Sequence, residues 1–470
     1  MRKLLCIALL MLLSPSAFAA KIVSLNLKSH YAETIDNYKL TRNAIGDYGL
    51  KSSESADQSA ALQKAIYDIA EKGGGSLVIP KGTYRFLSVN MASNVHILVD
   101  KDAVFKPFMA EGGKSGIMLT FSPKDENSSE YVENCSIRAL QSGEKFKVDY
   151  SEYSASQKVR FIVARMAKNF LIADANIHDN FTTHCGIVFV PTSAESIDGW
   201  KISRPTFGEV RDCAIFNAKA GYGLCQLHGA QSLYFQDIYS NGGVTLRLES
   251  GAGGKHAGVF DVEARNVITE NGRSAVMMNP HATVNGTVKI DGVLSKGSGI
   301  AVLVHGGFVD RKHKYVAGAK PGVYASDSEI VNIKAIYGEQ GQTDEKQIYA
   351  CPPLASEYAK FKMNHYGDPK SFVGPSLVAV LDCTNGNYKV TYKNIISEGF
   401  PVKCDEVVYE STIEDRKKRN SEIIESLPAM LNRTAAQKAQ YDAAKASKAN
   451  SQAAQDKARK AATEGKKSNK

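Results

Sequence analysis

Two periodicities divide this chain. Over residues 55–72, Leu62, Ala65, Ile66, Ile69 and Ala70 recur at helical spacing, Ser55 or Asp57 stands where a cap belongs, and Gly73, Gly74 and Gly75 close the run. That pattern predicts one short amphipathic helix. From Ser76 onward the period drops to that of strands, first in Ser76-Leu-Val-Ile-Pro80 and Gly82-Thr-Tyr-Arg-Phe86. Four short strands then recur: Leu224-Cys-Gln-Leu-His228, Val244-Thr-Leu-Arg-Leu-Glu249, Ala275-Val-Met-Met-Asn279 and Ile300-Ala-Val-Leu-Val-His305, with starts 20, 31 and 25 residues apart. Further strands such as 232–238 and 287–291 lie between them, separated by Gly and Asn turns and by no helix. Many short strands on a repeat of this size predict an all-β solenoid of parallel strands, a parallel β-helix. An antiparallel sandwich or propeller is the alternative. The helix just before the first strand favours the solenoid, whose open end exposes strand edges that need a cover.

Residues 308–375 break the rhythm with a polar stretch and read as one insertion beside the solenoid, after which strands resume at 377–382 and 388–392. The expected organisation is a signal peptide at 1–19, a lead-in at 20–54, the β-helix at 55–405, a C-terminal segment at 406–433 and a basic low-complexity tail at 434–470. The signal reading rests on Arg2 and Lys3, the apolar run Leu4 to Leu13 and the small-residue site Ala17-Phe-Ala19, with cleavage expected after Ala19. Cys6 stands too early for a lipoprotein cysteine, and no later apolar run reaches about 18 residues. The expected location is therefore secreted or periplasmic, without a membrane anchor.

Composition excludes several classes. With 43% hydrophobic and 23% charged residues among 470, the chain is neither disordered throughout, nor collagenous, nor a multi-span membrane protein. The net charge of +9 needs dividing: Arg2 and Lys3 contribute two, and the tail a net six, which leaves +1 for residues 21–433. Such a nearly neutral body gives no nucleic-acid signal, and an anionic ligand has to be held by a local cluster of cations. Seven cysteines remain after the signal, at 135, 185, 213, 225, 351, 383 and 404, with no C-x-x-C pair. They indicate neither a zinc ribbon nor a dense disulfide framework; Cys383 with Cys404 is the one pairing expected.

Strand alternation places Val244, Leu246 and Leu248 inward, and Thr245, Arg247 and Glu249 outward. The same parity turns Gln226, His228, Met277, Asn279, Leu303 and His305 outward on their own coils. His281 follows Pro280 at a strand end, where alternation no longer fixes its direction. Stacked about 4.8 Å apart, these side chains would form one polar surface suited to a chain-like ligand.

On these residues the sequence resembles the iota-carrageenases, exported glycoside hydrolases of a sulfated galactan. The matching segments are 57–63, 78–87 and 93–97, then Gly221-Tyr-Gly-Leu-Cys-Gln226, Gly242-Gly-Val-Thr-Leu-Arg-Leu-Glu249, Ala275-Val-Met-Met-Asn-Pro-His281 and Gly374-Pro-Ser-Leu-Val-Ala-Val380. The resemblance implies a right-handed parallel β-helix that cuts β-1,4 bonds with inversion. Glu249 matches the acid, Gln226 and His281 match catalytic positions, and Arg247, Asn279, His305 and His228 are the expected substrate contacts. The implied partner is an anionic sulfated polysaccharide. No cofactor is implied with certainty, and a structural calcium or chloride ion stays open.

The chain also departs from the family. Its base aspartate stands two residues after the acid, where this chain has Gly251, and Leu303 and His305 replace an arginine and an aspartate. Either His281, His256 or Asp261 supplies a replacement base, or water is oriented without a strong base at a lower rate. Further cations for sulfate are Arg273, Lys296 and residues 311–314. A lyase and a non-catalytic glycan-binding β-helix are the competing readings. The lyase is disfavoured because the outward strand positions supply one carboxylate, too few for the calcium such enzymes use.

Overall fold

The computed structural model describes residues 23–412 except 54, 126–127, 129, 193–203, 252–256, 310–317, 345–346, 349–354, 365 and 367–370, together with 439, 442–443 and 446. The expected signal peptide, Trp200, His256, residues 311–314 and nearly all of the tail lie outside the described residues. Among the described residues, twenty-six strands form one hydrogen-bonded set. Their pairing is parallel throughout, in three stacks that wind as a right-handed β-helix, the hand that parallel crossovers adopt.

One stack runs from Thr41–Asn43 through Gly75–Ile79, Val132–Ala139 and Val262–Glu270 to Thr391–Glu398. A second runs from Val89–Asn90 through Lys158–Ala164, Ile187–Phe189, Ala214–Leu227, Tyr234–Glu249, Ser274–Asn279 and Ile300–His305 to Val378–Cys383 and Val407–Tyr409, and it carries the site. The third, from Gly82–Phe86 to Ala175–His178, merges into the long strand Ala214–Leu227. Corners need residues that tolerate positive φ, and Asn94, Asn134 and Asn169 supply it on successive coils. Their side chains also join the coils, Asn134 Nδ2 donating to Asn94 Oδ1 at 3.2 Å and Asn169 Nδ2 to Asn134 Oδ1 at 2.8 Å. Inside, aromatic rings follow one another up the barrel, Phe86 to Phe105 to Phe146 to Phe161 at 4.8, 5.5 and 6.2 Å.

The helix is Ser59–Glu71 and buries Leu62, Ala65, Ile66 and Ile69. Asp57 Oδ1 accepts from the Ser59 backbone at 2.9 Å, just ahead of it. Three expectations are corrected. Residues 308–375 are not one insertion, because Glu329–Ile336 is a solenoid strand paired with Val288–Lys296 and Thr391–Glu398, and its buried Ile330 and Ile333 face the core. The later part forms a small antiparallel sheet of Gly341–Asp344, Lys362–Met363 and Ser371–Gly374. The solenoid also extends past both expected limits, since Thr41–Asn43 pairs with Ser76–Val78 and Val407–Tyr409 with residues 380–382. Finally, Cys404 is disulfide-bonded whereas Cys383 keeps its thiol, so that bridge does not form.

Residues 23–33 run as a strap across the first stack. Leu25 N–H donates to Asp291, Ser29 Oγ to Glu209, Ala32 N–H to Asn169, and Glu33 takes a forked contact from Arg138 at 2.6 and 2.9 Å. Partial burial acts to raise the Glu33 pKa, but the Arg138 hydrogen bonds outweigh it and bring it down to about 2. A depressed carboxylate stabilises the fold above its unfolded value and loses that contribution as pH falls toward the folded one. Glu33→Gln should therefore lower the unfolding free energy at neutral pH by less than about 1 kcal/mol, because the pair is partly exposed, and lower the melting temperature accordingly. The difference from the parent should shrink between about pH 4 and pH 2, which a melting series over pH will check.

Candidate functional site

Four consecutive strands of the second stack bend at matching positions. Leu224 with Cys225, Thr245 with Leu246, Ala275 with Val276 and Ala301 with Val302 are consecutive pairs, all fully buried. The register of Tyr234–Glu249 on Ser274–Asn279 skips Thr245 and Ala275 accordingly. This corrects the simple alternation: Thr245 turns inward and donates to the Ile268 carbonyl at 2.8 Å, while Val244 packs outside. Beyond the bend the expected parity holds. Gln226 pairs with Arg247 and Arg247 with Met277, and Glu249 pairs with Asn279. One column of the groove thus runs Gln226, Arg247, Met277, Leu303, and the next includes Glu249 and Asn279 and ends at His305, beside Cys383.

Met277 and Leu303 do not line open groove. They pack with Ile300 and Leu381 under Ile348, Phe361 and Phe372 of the small sheet, which closes this end. The polar centre is Glu249, only 7% exposed. Its Oε2 meets the Arg247 guanidinium at 2.6 Å and accepts from Gln226 Nε2 at 2.8 Å, and its Oε1 lies 3.4 Å from His281 Nε2. His228 Nδ1 sits 3.1 Å from the Glu249 backbone oxygen. Arg247 is anchored in turn by the Gly221 carbonyl and the Tyr222 ring, 5.8 Å from its guanidinium carbon. His281 packs on Phe308 at 4.7 Å.

Burial acts to raise the Glu249 pKa, but the Arg247 charge, hydrogen bonds from His281 and Arg247, and the His281 charge together hold it well below the usual carboxylate range. Burial works in the opposite sense on the histidines, lowering His228 and bringing His305 down to about 4, in the second case with help from Arg273. Both are neutral near pH 7 and offer hydrogen bonds without charge. Asn279 Oδ1 is buried with no hydrogen-bond partner and faces the same column.

Two candidates fall elsewhere, and a third stands beside the groove already paired with a carboxylate. Asp261 accepts from Gln231 Nε2 at 2.7 Å at a coil corner. Lys296 stands in register with Glu270 on the first stack, away from the groove. Arg273 is paired with Asp344 of the small sheet at 2.9 Å. Among the described residues no cluster of three or more His, Cys, Asp or Glu side chains is placed to hold a metal ion, and no helix is long and apolar enough to cross a membrane.

Gly251 has moved off the strand. Tyr234–Glu249 ends at Glu249, and Gly251 adopts φ +79, where a Cβ would lie 2.8 Å from Thr283 Oγ1. A side chain here would be strained and would not point along the groove as position i+2 of a strand does. Sequence reasoning missed Tyr222, Phe308 and Asp344, since the first two show only as aromatics in loop-like surroundings and the third reaches the groove through tertiary contact alone.

This fold and site define a pectate-lyase-like β-helix with a buried carboxylate paired to an arginine in a groove of stacked polar side chains. The chain belongs to the family described as rhamnogalacturonase A/epimerase, pectate lyase-like, whose model matches residues 41–279. It is similar to the iota-carrageenase of Alteromonas macleodii, at 26% identity over 451 residues covering 81% of this chain and 87% of that one. It is also similar to the iota-carrageenase of Zobellia galactanivorans, at 29% over 423 residues covering 77% and 83%. A solved 1,3-α-1,4-β-D-galactose-4-sulfate-3,6-anhydro-D-galactose-2-sulfate 4 galactohydrolase superposes with a TM-score of 0.74 at 26% identity, over 83% of this chain and 95% of that one. The resemblance read from the sequence is borne out.

Arg247→Met should cost about 3 kcal/mol in a denaturant melt, because it strands a buried carboxylate. Combining it with Glu249→Gln should recover most of that loss. A double variant no more stable than the single one would show that the pair does not couple.

Proposed function

We propose that the chain is an exported glycoside hydrolase of a sulfated galactan of the iota-carrageenan type, cleaving β-1,4 bonds with inversion and using Glu249 as general acid. The observation that carries this reading is the Glu249 cluster: one buried carboxylate with Arg247, Gln226 and His281 at 2.6 to 3.4 Å, inside a fold similar to galactan hydrolases. Acid catalysis needs the proton back on Glu249, which Arg247 opposes in the free protein. An anionic sulfate that engages Arg247 weakens that opposition and raises the Glu249 pKa, so the polymer's own charge arms the acid. Neutral His228, His305 and Asn279 contact sugar hydroxyls along the neighbouring column.

Inversion also needs a group that holds water on the opposite face, with carboxyls roughly 6.5–9.5 Å apart in enzymes that use two. Gly251 cannot supply it, and His281 Nε2 is already engaged by Glu249 Oε1 at 3.4 Å. In this reading water is oriented by weaker groups and turnover is slow. The turned Gly251 also favours a second reading, a glycan-binding β-helix that does not turn over.

Incubation of the mature protein with iota-, kappa- and lambda-carrageenan, agarose and pectate separates the readings. Reducing ends without the ultraviolet absorbance of a new double bond, on a sulfated galactan, are expected. Absorbance would instead mark a lyase, and tight binding without new reducing ends a binder. Glu249→Gln should cut turnover by about 10² or more while the fold persists, as loss of a positioned acid does. Gly251→Asp should lower stability without raising the rate.

A further inference from the structure

Toward the N-terminal coils the groove carries a second cationic cluster, not involved in holding Glu249. Arg160 lies on Lys158–Ala164 between the buried Val159 and Phe161, so its side chain turns out onto the site face. Arg85, Arg138, Arg211, Arg247, Arg265 and Arg273 each meet a carboxylate. Arg160 meets none among the described residues, and its Nε is buried without a hydrogen bond. A shielded guanidinium lacking an acceptor is costly, and an incoming anion removes that cost.

The next coils complete the cluster. Lys158 bridges to Thr183, which sets His184 beside it. His184 adopts φ +111, a conformation rare for a side chain of its size, and its ring meets Tyr222 edge-on at 5.7 Å. Tyr222 is the ring that also flanks Arg247. Burial, and then Arg160, Lys158, His228 and Arg247, bring His184 down to about 3, so it is neutral near pH 7 and keeps one ring N–H to donate. Between these groups the floor is apolar, built from Val163, Cys185 and Val188.

We infer that Arg160, His184 and Lys158 form an anion subsite that receives a sulfate ester of a polysaccharide lying along the strand stack. The strands of Arg160 and Arg247 are three spacings apart through Ile187–Phe189 and Ala214–Leu227, roughly 14 Å at about 4.8 Å each. One bound chain therefore reaches Glu249 and Arg160 at once, through different units. The guanidinium fork suits two oxygens of a sulfate, the His184 N–H a third, and the apolar floor the face of the ring that carries it. The choice of sulfate over another oxyanion rests on the galactan reading proposed above.

Two measurements test this. Crystals of the mature protein soaked in selenate should show a selenium site within hydrogen-bond distance of the Arg160 guanidinium, and crystals of Arg160→Gln should lack it. In calorimetry, Arg160→Gln should weaken binding of sulfated galactan oligosaccharides about tenfold or more, the scale of a lost charge-assisted hydrogen bond, and leave desulfated ones unchanged. Arg160→Lys should recover part of the loss, which excludes misfolding as its cause. A selenium site that persists in Arg160→Gln is an adventitious ion only and overturns the subsite, as does equal weakening for both oligosaccharides. Selenate held by Arg160 in a protein that cleaves no galactan sustains the subsite and removes the hydrolase reading. Galactan cleavage with no selenium at Arg160 and unchanged affinity removes the subsite alone.

Discussion

Parallel pairing in register is the constraint from which the rest of this molecule follows. Once Leu248 lies beside Met278 and Glu249 beside Asn279, every side chain two residues along a strand acquires a neighbour on the next coil. The interior rows of phenylalanines and the corner asparagines repeat for that reason, and so do the polar columns outside. A site on such a scaffold is assembled from residues 20 to 30 positions apart, as Gln226, Arg247, Met277 and Leu303 show.

The same regularity explains where electrostatic tension collects. Register stacks Gln226 on Arg247, and strand parity puts Arg247 and Glu249 on one face, so one buried carboxylate meets a guanidinium and an amide together. Low dielectric makes that cluster strong and makes Glu249 a poor acid in the free protein. Under the hydrolase reading proposed above, a substrate that brings its own negative charge would change that balance at Glu249. Farther along, Arg160 meets no carboxylate among the described residues, which is why the anion subsite is proposed there.

The small sheet at Gly341–Asp344 and Ser371–Gly374 works differently, since it is antiparallel and lies outside the repeat. By burying Met277 and Leu303 it ends the groove on the C-terminal side, and through Asp344 it neutralises Arg273. The strap of residues 23–33 does the corresponding work on the opposite face, tying coils whose strands are already paired. Both are additions that restrain the solenoid without changing its winding.

Much was legible in the sequence because periodicity is local. The helix over 59–71, the strands and the outward direction of Gln226, Arg247, Glu249 and Asn279 follow from spacing, and the helix set before the first strand favoured their parallel winding. Likeness in the segments around 221–281 carried the family. What escaped was whatever depends on contacts between distant segments or on a break in alternation. The stacked bend that turns Thr245 inward has no local signature, because Val, Thr and Leu suit either face. Glu329–Ile336 was hidden by the polar residues around it, although Ile330 and Ile333 face the core. The fate of Gly251 also belonged to the tertiary structure: only Thr283 and His281 on the next coil decide that this turn has no room for an aspartate. Spacing determines which face a residue is offered to, and neighbours several coils away determine whether that face is open, charged or closed.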